Sequence, residues 1–131
     1  MIRPTSKSLG LRIAIVLTAV MVWRTSAIAY LLEVGNTVPE FWSIAFKGDS
    51  FIGLTAVFLA VALWKVQSPR VWLLGILWQV VGLVDLYVAL ETQLMLPLGA
   101  APNIVIPVGI VMHTLALFLL YRNRGHYQVG F

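Results

Sequence analysis

The chain has 131 residues, of which 60% are hydrophobic and 11% charged, and its nine Lys and Arg against five Asp and Glu give a formal charge of +4. Soluble domains run nearer roughly 45–50% apolar and about 25% charged, so this balance excludes an ordinary soluble fold and points to an integral membrane protein. Cysteine is absent, which excludes disulfides, thiol catalysis and cysteine-held iron–sulfur clusters.

The first apolar segment runs from about Leu9 to Leu32. Basic residues at its start and the stretch "TSAIAY" resemble a secretory signal with an A-x-A site ending at Ala29. Arg24 interrupts the region just before that site, so a retained helix is expected. Ala14, Thr18, Met21 and Thr25 form one stripe on it, with Arg24 beside them, long enough to reach inward or to extend toward the headgroups.

The next stretch, "NTVPEFWSIAF", has Thr37 and Glu40 in capping-box spacing, Pro39 between them, then Phe41, Trp42, Ile44 and Phe46. It reads as a short helix lying on the outer membrane surface. "KGDSFIG" follows, and the second spanning helix, about 51–66, is expected to open there with Asp49 or Ser50 as its cap. For Asp49, capping is favoured over a catalytic role. The turn "KVQSPR" is short, holds the second and third helices as an antiparallel pair, and is flanked by Trp64 and Trp72 as interface anchors.

The third helix is expected over about 71–94, with Gly75, Trp78, Gly82, Asp85 and Ala89 on one stripe at three- and four-residue steps. The glycines permit close helix approach, and Asp85 falls on the packing face. The fourth, about 104–121, follows "LGAAPN", with Pro102 in its first turn and Pro107 inside it. Pro107 removes a backbone bond, frees a carbonyl near Asn103 and predicts a kink.

Together these segments predict a single all-α domain over 1–131, an integral membrane four-helix bundle. A span needs about 20 apolar residues and tolerates about 17. Helices satisfy their own backbone in lipid, and the alternation of barrel strands is missing. Arg3, Lys7, Arg12, Lys65, Arg70, Arg122 and Arg124 lie on one side, against Lys47 alone on the other with Glu33, Glu40, Asp49 and Glu91. By the positive-inside rule both termini are cytoplasmic, as for a multi-pass protein of a bacterial inner membrane. The bilayer is then the partner of the basic residues, and nucleic-acid binding is not expected.

Counting about 1.5 Å per residue, Arg24 and Asp85 lie at one level, roughly 20 Å from the cytoplasmic face. His113 lies roughly 13 Å from the outer face, within a turn of that level. A charge at mid-bilayer costs about 2.5–3.5 kcal/mol on insertion scales, so these groups are expected to face inward and pair. One reading makes Arg24 and Asp85 a pair that fixes helix register, with His113 bonded to a backbone carbonyl. The other makes the layer the floor of an outward-facing pocket, ringed above by Tyr30, Glu33, Tyr87 and Glu91, that binds a solute or handles a proton.

Three stretches, "FKGDSFIGLTAVFLAVALW", "WQVVGLVDLYVAL" and "IVIPVGIVMHTLALFLLYR", resemble a group of small bacterial four-helix membrane proteins of unassigned activity. That group shows a G-D opening, a G-x-x-D-L step and a proline followed by histidine. The resemblance covers the second to fourth helices, implies the same fold, and touches Asp49, Asp85 and His113. Where the group has asparagine before G-x-x-D-L, this chain has Gln79.

Other chemistries fit less well. A b-type haem needs two axial ligands at depth, and only His113 qualifies within one chain, because His126 lies in the polar tail. No His, Asp or Glu pair stands at metal-ligand spacing on one helix, and Ser26, the only serine within a spanning segment, sits in no nucleophile motif. No cofactor and no metal are expected.

The reading favoured is a small multi-pass membrane protein that binds or passes a small solute or proton at the layer of Arg24, Asp85 and His113, with Trp78, Tyr87, Glu33 and Asp49 as further site residues. An accessory or scaffolding subunit of a membrane complex is the alternative. A lipid-modifying enzyme with Asp85 or His113 as general acid or base, walled by Trp78 and Tyr87, is the third. Four helices enclose little volume, so transport would need a homo-oligomer or a partner membrane subunit.

Overall fold

A computed structural model of the chain describes residues 6–26, 40–95, 97, 100 and 102–130, the side chains of 40 and 41 excepted. The described residues are helical with no strand. Helix α1 spans Leu9–Val20 and tightens into a 3-10 segment over Met21–Thr25. Its start is set by Ser8, whose hydroxyl accepts from the Leu11 N–H at 3.1 Å. Helix α2 spans Glu40–Lys65, α3 Pro69–Met95 and α4 Pro102–Arg122, with a 3-10 turn over Arg124–Tyr127. Proline stands first in both α3 and α4, where its missing N–H costs nothing. Helix α4 continues through Pro107.

Helices α2, α3 and α4 are each long and apolar enough to cross a membrane. Neighbours in sequence pack side by side and α1 closes the ring against α4, while the backbones of the diagonal pairs stay apart and only side chains such as Gln79 and Thr18 meet across the centre. Large apolar side chains such as Phe58, Val84 and Val111 stand exposed around the outside, which lipid tolerates and water does not.

The interior is layered. At the end carrying residues 8, 66 and 123, a large apolar core joins Leu11, Ala14, Ile52, Ala56, Leu63, Trp72 and Leu120. At the opposite end a smaller one joins Trp42, Ala45, Ala89 and Ile106. Between the two lies a polar layer. The stripe predicted on α3 faces inward, with Gly75, Trp78, Gly82 and Ala89 buried and Asp85 nearly so.

Several boundaries differ from expectation. The second helix does not begin near residue 51: residues 40–46, expected as a separate surface helix, are the outer turns of α2 itself. Gly48, Asp49 and Ser50 look like a helix start, yet the chain runs through them helically because Asp49 bonds to another helix instead of to its own backbone. Trp72 is no interface anchor: it is buried and donates its indole N–H to the Leu120 carbonyl at 2.9 Å. Trp64 is half exposed, with the Lys7 ammonium 4.4 Å from its ring centre. The expected continuation of the first helix to Leu32 lies outside the described residues beyond Ser26.

Candidate functional site

The polar layer is organised by one side chain. Arg24 projects from the 3-10 segment into the bundle with its side chain fully buried. Its Nε donates to Asp49 Oδ1 at 2.6 Å, and its Nη2 meets the same oxygen at 2.5 Å. The same Nη2 also donates to Asp85 Oδ2. Its Nη1 stands 2.8 Å from His113 Nε2. A single guanidinium on the first helical segment therefore bonds to α2, α3 and α4 at once. Its planar fork suits this, since it offers five N–H donors in fixed directions.

The protonation pattern follows from what Arg24 lacks. A guanidinium has no acceptor, so His113 Nε2 must accept. The imidazole is then neutral with its proton on Nδ1, which donates to Gln79 Oε1 at 2.6 Å. Gln79 Nε2 donates to Thr18 Oγ1 at 2.9 Å, and Thr18 passes its proton to the Ala14 carbonyl at 2.8 Å. Every bond in this chain has one direction. Trp78 lies beneath it, its ring 5.5 Å from that of His113 and its N–H on Thr55 Oγ1 at 2.8 Å. Among the described residues no buried side-chain N or O lacks a partner.

Glycines make this geometry possible. A Cβ on Gly48 would overlap the Asp85 carboxylate. One on Gly82 would drive into the His113 ring, and one on Gly53 would strike the backbone at Arg24 and Thr25. Helices α2 and α3 are thus bare where a partner from the layer arrives.

Among the described residues the layer holds one cation, two carboxylates and one neutral imidazole, so with both acids ionised it carries an excess negative charge. Exposure divides the members: Arg24 and His113 are sealed, whereas Asp49 keeps 21% and Asp85 11% of their side-chain surface. Anything reaching the layer meets carboxylate oxygen first. The lone pairs of Asp49 Oδ1, Asp85 Oδ2 and His113 Nε2 are already directed at Arg24, so a metal using them would have to displace the guanidinium.

Arg24, Asp49, Asp85, His113 and Trp78 are therefore gathered in one place. Tyr87 is not: it stands 58% exposed on the outer face of α3, beside a shallow apolar groove lined by Leu83, Val84 and Ile110, and bonds to Glu91 one turn on. The period of α3 turns it away from the stripe that carries Asp85. Tyr30 and Glu33 lie outside the described residues. Gln79 and Thr18 complete the network but signalled little in the sequence, Gln79 standing out only as a departure from the resembled group's asparagine and Thr18 as one hydroxyl in a stripe. His113 bonds to Gln79 rather than to a backbone carbonyl. The chain matches no protein-family model, no curated protein and no solved structure, so a functional reading rests on this geometry.

Proposed function

We propose that this is a multi-pass membrane protein that binds a proton or a small cation at the layer of Arg24, Asp49, Asp85 and His113. The observation that carries the reading is the two-to-one ratio of carboxylates to guanidinium around a sealed arginine. Net charge in a low-dielectric layer is costly, and one bound proton or monovalent cation removes it. The partial exposure of Asp49 and Asp85 gives such a ligand its approach. An anionic solute is disfavoured, because the one buried cation is already bonded on each of its three nitrogens.

In this reading the basic end is cytoplasmic, the layer opens toward the opposite side of a bacterial inner membrane, and passage across the membrane requires a homo-oligomer. The test is thermal stability of purified protein in neutral detergent, from mildly acidic to mildly alkaline pH, with a panel of small cations, anions and lipids. Wild type is expected to respond to pH or to a cation, and Asp85→Asn to lose the response. A response to neither rejects the reading.

A second reading is favoured by the complete satisfaction of buried polar atoms: a structural lock, in an accessory or scaffolding subunit. It predicts strong destabilisation on breaking the layer with no ligand response.

A further inference from the structure

The end of the bundle that carries both described chain ends holds Lys7, Arg12, Lys65, Arg70, Arg122 and Arg124. Among the described residues no acidic residue lies at that end: Asp49 and Asp85 stand in the polar layer, and Glu40 and Glu91 belong to the turns toward the opposite end.

Within this end the start of α1 and the end of α4 enclose a cleft of about 370 Å³, bordered by Ser6, Ser8, Arg122, Asn123, Gly125 and His126. Its floor is held by tertiary bonds. Ser8 donates to Asn123 Oδ1 at 2.5 Å, and Asn123 Nδ2 donates to the Leu119 carbonyl at 2.7 Å. A Cβ on Gly10 would press on Asn123 and Leu119 at 3.3 Å, which shows how closely the two helices meet. A Cβ on Gly125 would meet nothing within 4 Å, so the mouth is open.

Two donors at the rim are uncommitted. No described residue hydrogen-bonds or ion-pairs with the Arg122 guanidinium. His126 Nε2 faces the Gln67 amide nitrogen at 3.3 Å and accepts from it. Its Nδ1–H is thereby left for another acceptor. The first turn of α1 adds the positive end of its dipole. The surroundings are those of a bilayer interface: Trp64 carries Lys7 over its ring, Tyr121 carries Arg124, and Leu9, next in sequence to the cleft residue Ser8, is exposed. Aromatic rings with cations mark the headgroup level, and apolar walls suit glycerol and acyl chain.

We propose that this cleft, bordered by Ser6, binds the phosphate of an anionic phospholipid, with Arg122 and the His126 Nδ1–H as donors and the exposed Leu9 beside the lipid's apolar part. The phosphate supplies a counter-charge to Arg122.

The test is binding of phosphatidylglycerol to the purified full chain, measured by native mass spectrometry and thermal shift. Phosphatidylcholine with the same acyl chains and inorganic phosphate are the comparison arms. Arg122→Gln is expected to weaken phosphatidylglycerol binding about tenfold, and Arg70→Gln, which removes the same charge outside the cleft, to change it by less than about twofold. Both arginines are exposed, so neither change disturbs packing. Equal weakening by the two variants would overturn the cleft in favour of diffuse charge. Equal retention of phosphatidylcholine, or an equal shift from inorganic phosphate alone, would overturn the lipid assignment.

Discussion

Arg24 is the residue on which the interior depends, and its substitution has the largest expected cost. Arg24→Leu leaves two carboxylates near each other without their cation, and breaking a buried pair in this way costs about 3–5 kcal/mol. Asp85→Asn is milder, because Asp49 still balances the guanidinium; losing one charged hydrogen bond costs about 1–3 kcal/mol. A simple Arg24–Asp85 pair would predict that Arg24→Gln combined with Asp85→Asn restores stability. With Asp49 present it restores little, and adding Asp49→Asn restores more; unfolding in detergent of the double and triple variants checks this. A second residue-scale prediction concerns His126, outside the spanning helices. Burial first, then the Lys7 ammonium, lower its pKa. The folded chain therefore binds fewer protons than the unfolded one near the usual imidazole value of about 6.5. Its contribution is present above that pH and is lost as pH falls, so the stability difference between wild type and His126→Gln should shrink on acidification in neutral detergent. At this scale Arg24, Asp85 and His113 were legible because depth along a helix is arithmetic. Asp49 was named only as a further site residue with capping favoured, since its local sequence also describes a helix cap and only its distant partner decides between the two.

At the scale of elements, the helices themselves were plain from their apolar runs, while their ends were not. Helix α2 extends back to Glu40 because the outer turns find a core of their own in Trp42, Ala45 and Ile106; packing overrides the turn-like "KGDS". The tail after α4 was read as polar, yet Tyr127 is fully buried with its hydroxyl on the Leu63 carbonyl at 2.6 Å, and burial pushes its pKa up to about 12. An aromatic in a polar stretch carries no periodicity to announce it. Helix contacts yield a graded prediction. Gly53→Ala places a methyl against the backbone at Arg24, which cannot move aside, whereas Gly75→Ala meets Leu63 Cδ2 at 3.0 Å, the far end of a flexible side chain. The first should cost several kcal/mol, beyond the usual overpacking range of about 1–3 kcal/mol, and the second about 1 kcal/mol or less. Thermal unfolding of the two variants ranks them.

The described residues form a helical ring around a polar layer that separates two apolar cores. The proposed orientation places the basic end in the cytoplasm. Single cysteines at Ser43 and Ser68 should label from opposite sides, Ser68 from the cytoplasm, when an impermeant reagent is applied to intact cells and to inverted vesicles. The central claim is that the layer carries one negative charge too many and takes up a proton or a small cation. Infrared difference spectroscopy of the reconstituted protein, titrated with acid and with small cations, reads this directly through the C=O stretch of a protonated carboxyl. Wild type should show a buried carboxyl band that rises with acid, or a carboxylate band that shifts with one cation. That signal should vanish in both Asp85→Asn and Asp49→Asn, because either change removes the excess charge. A wild type with no such signal, or a signal that survives in both variants, would contradict the claim.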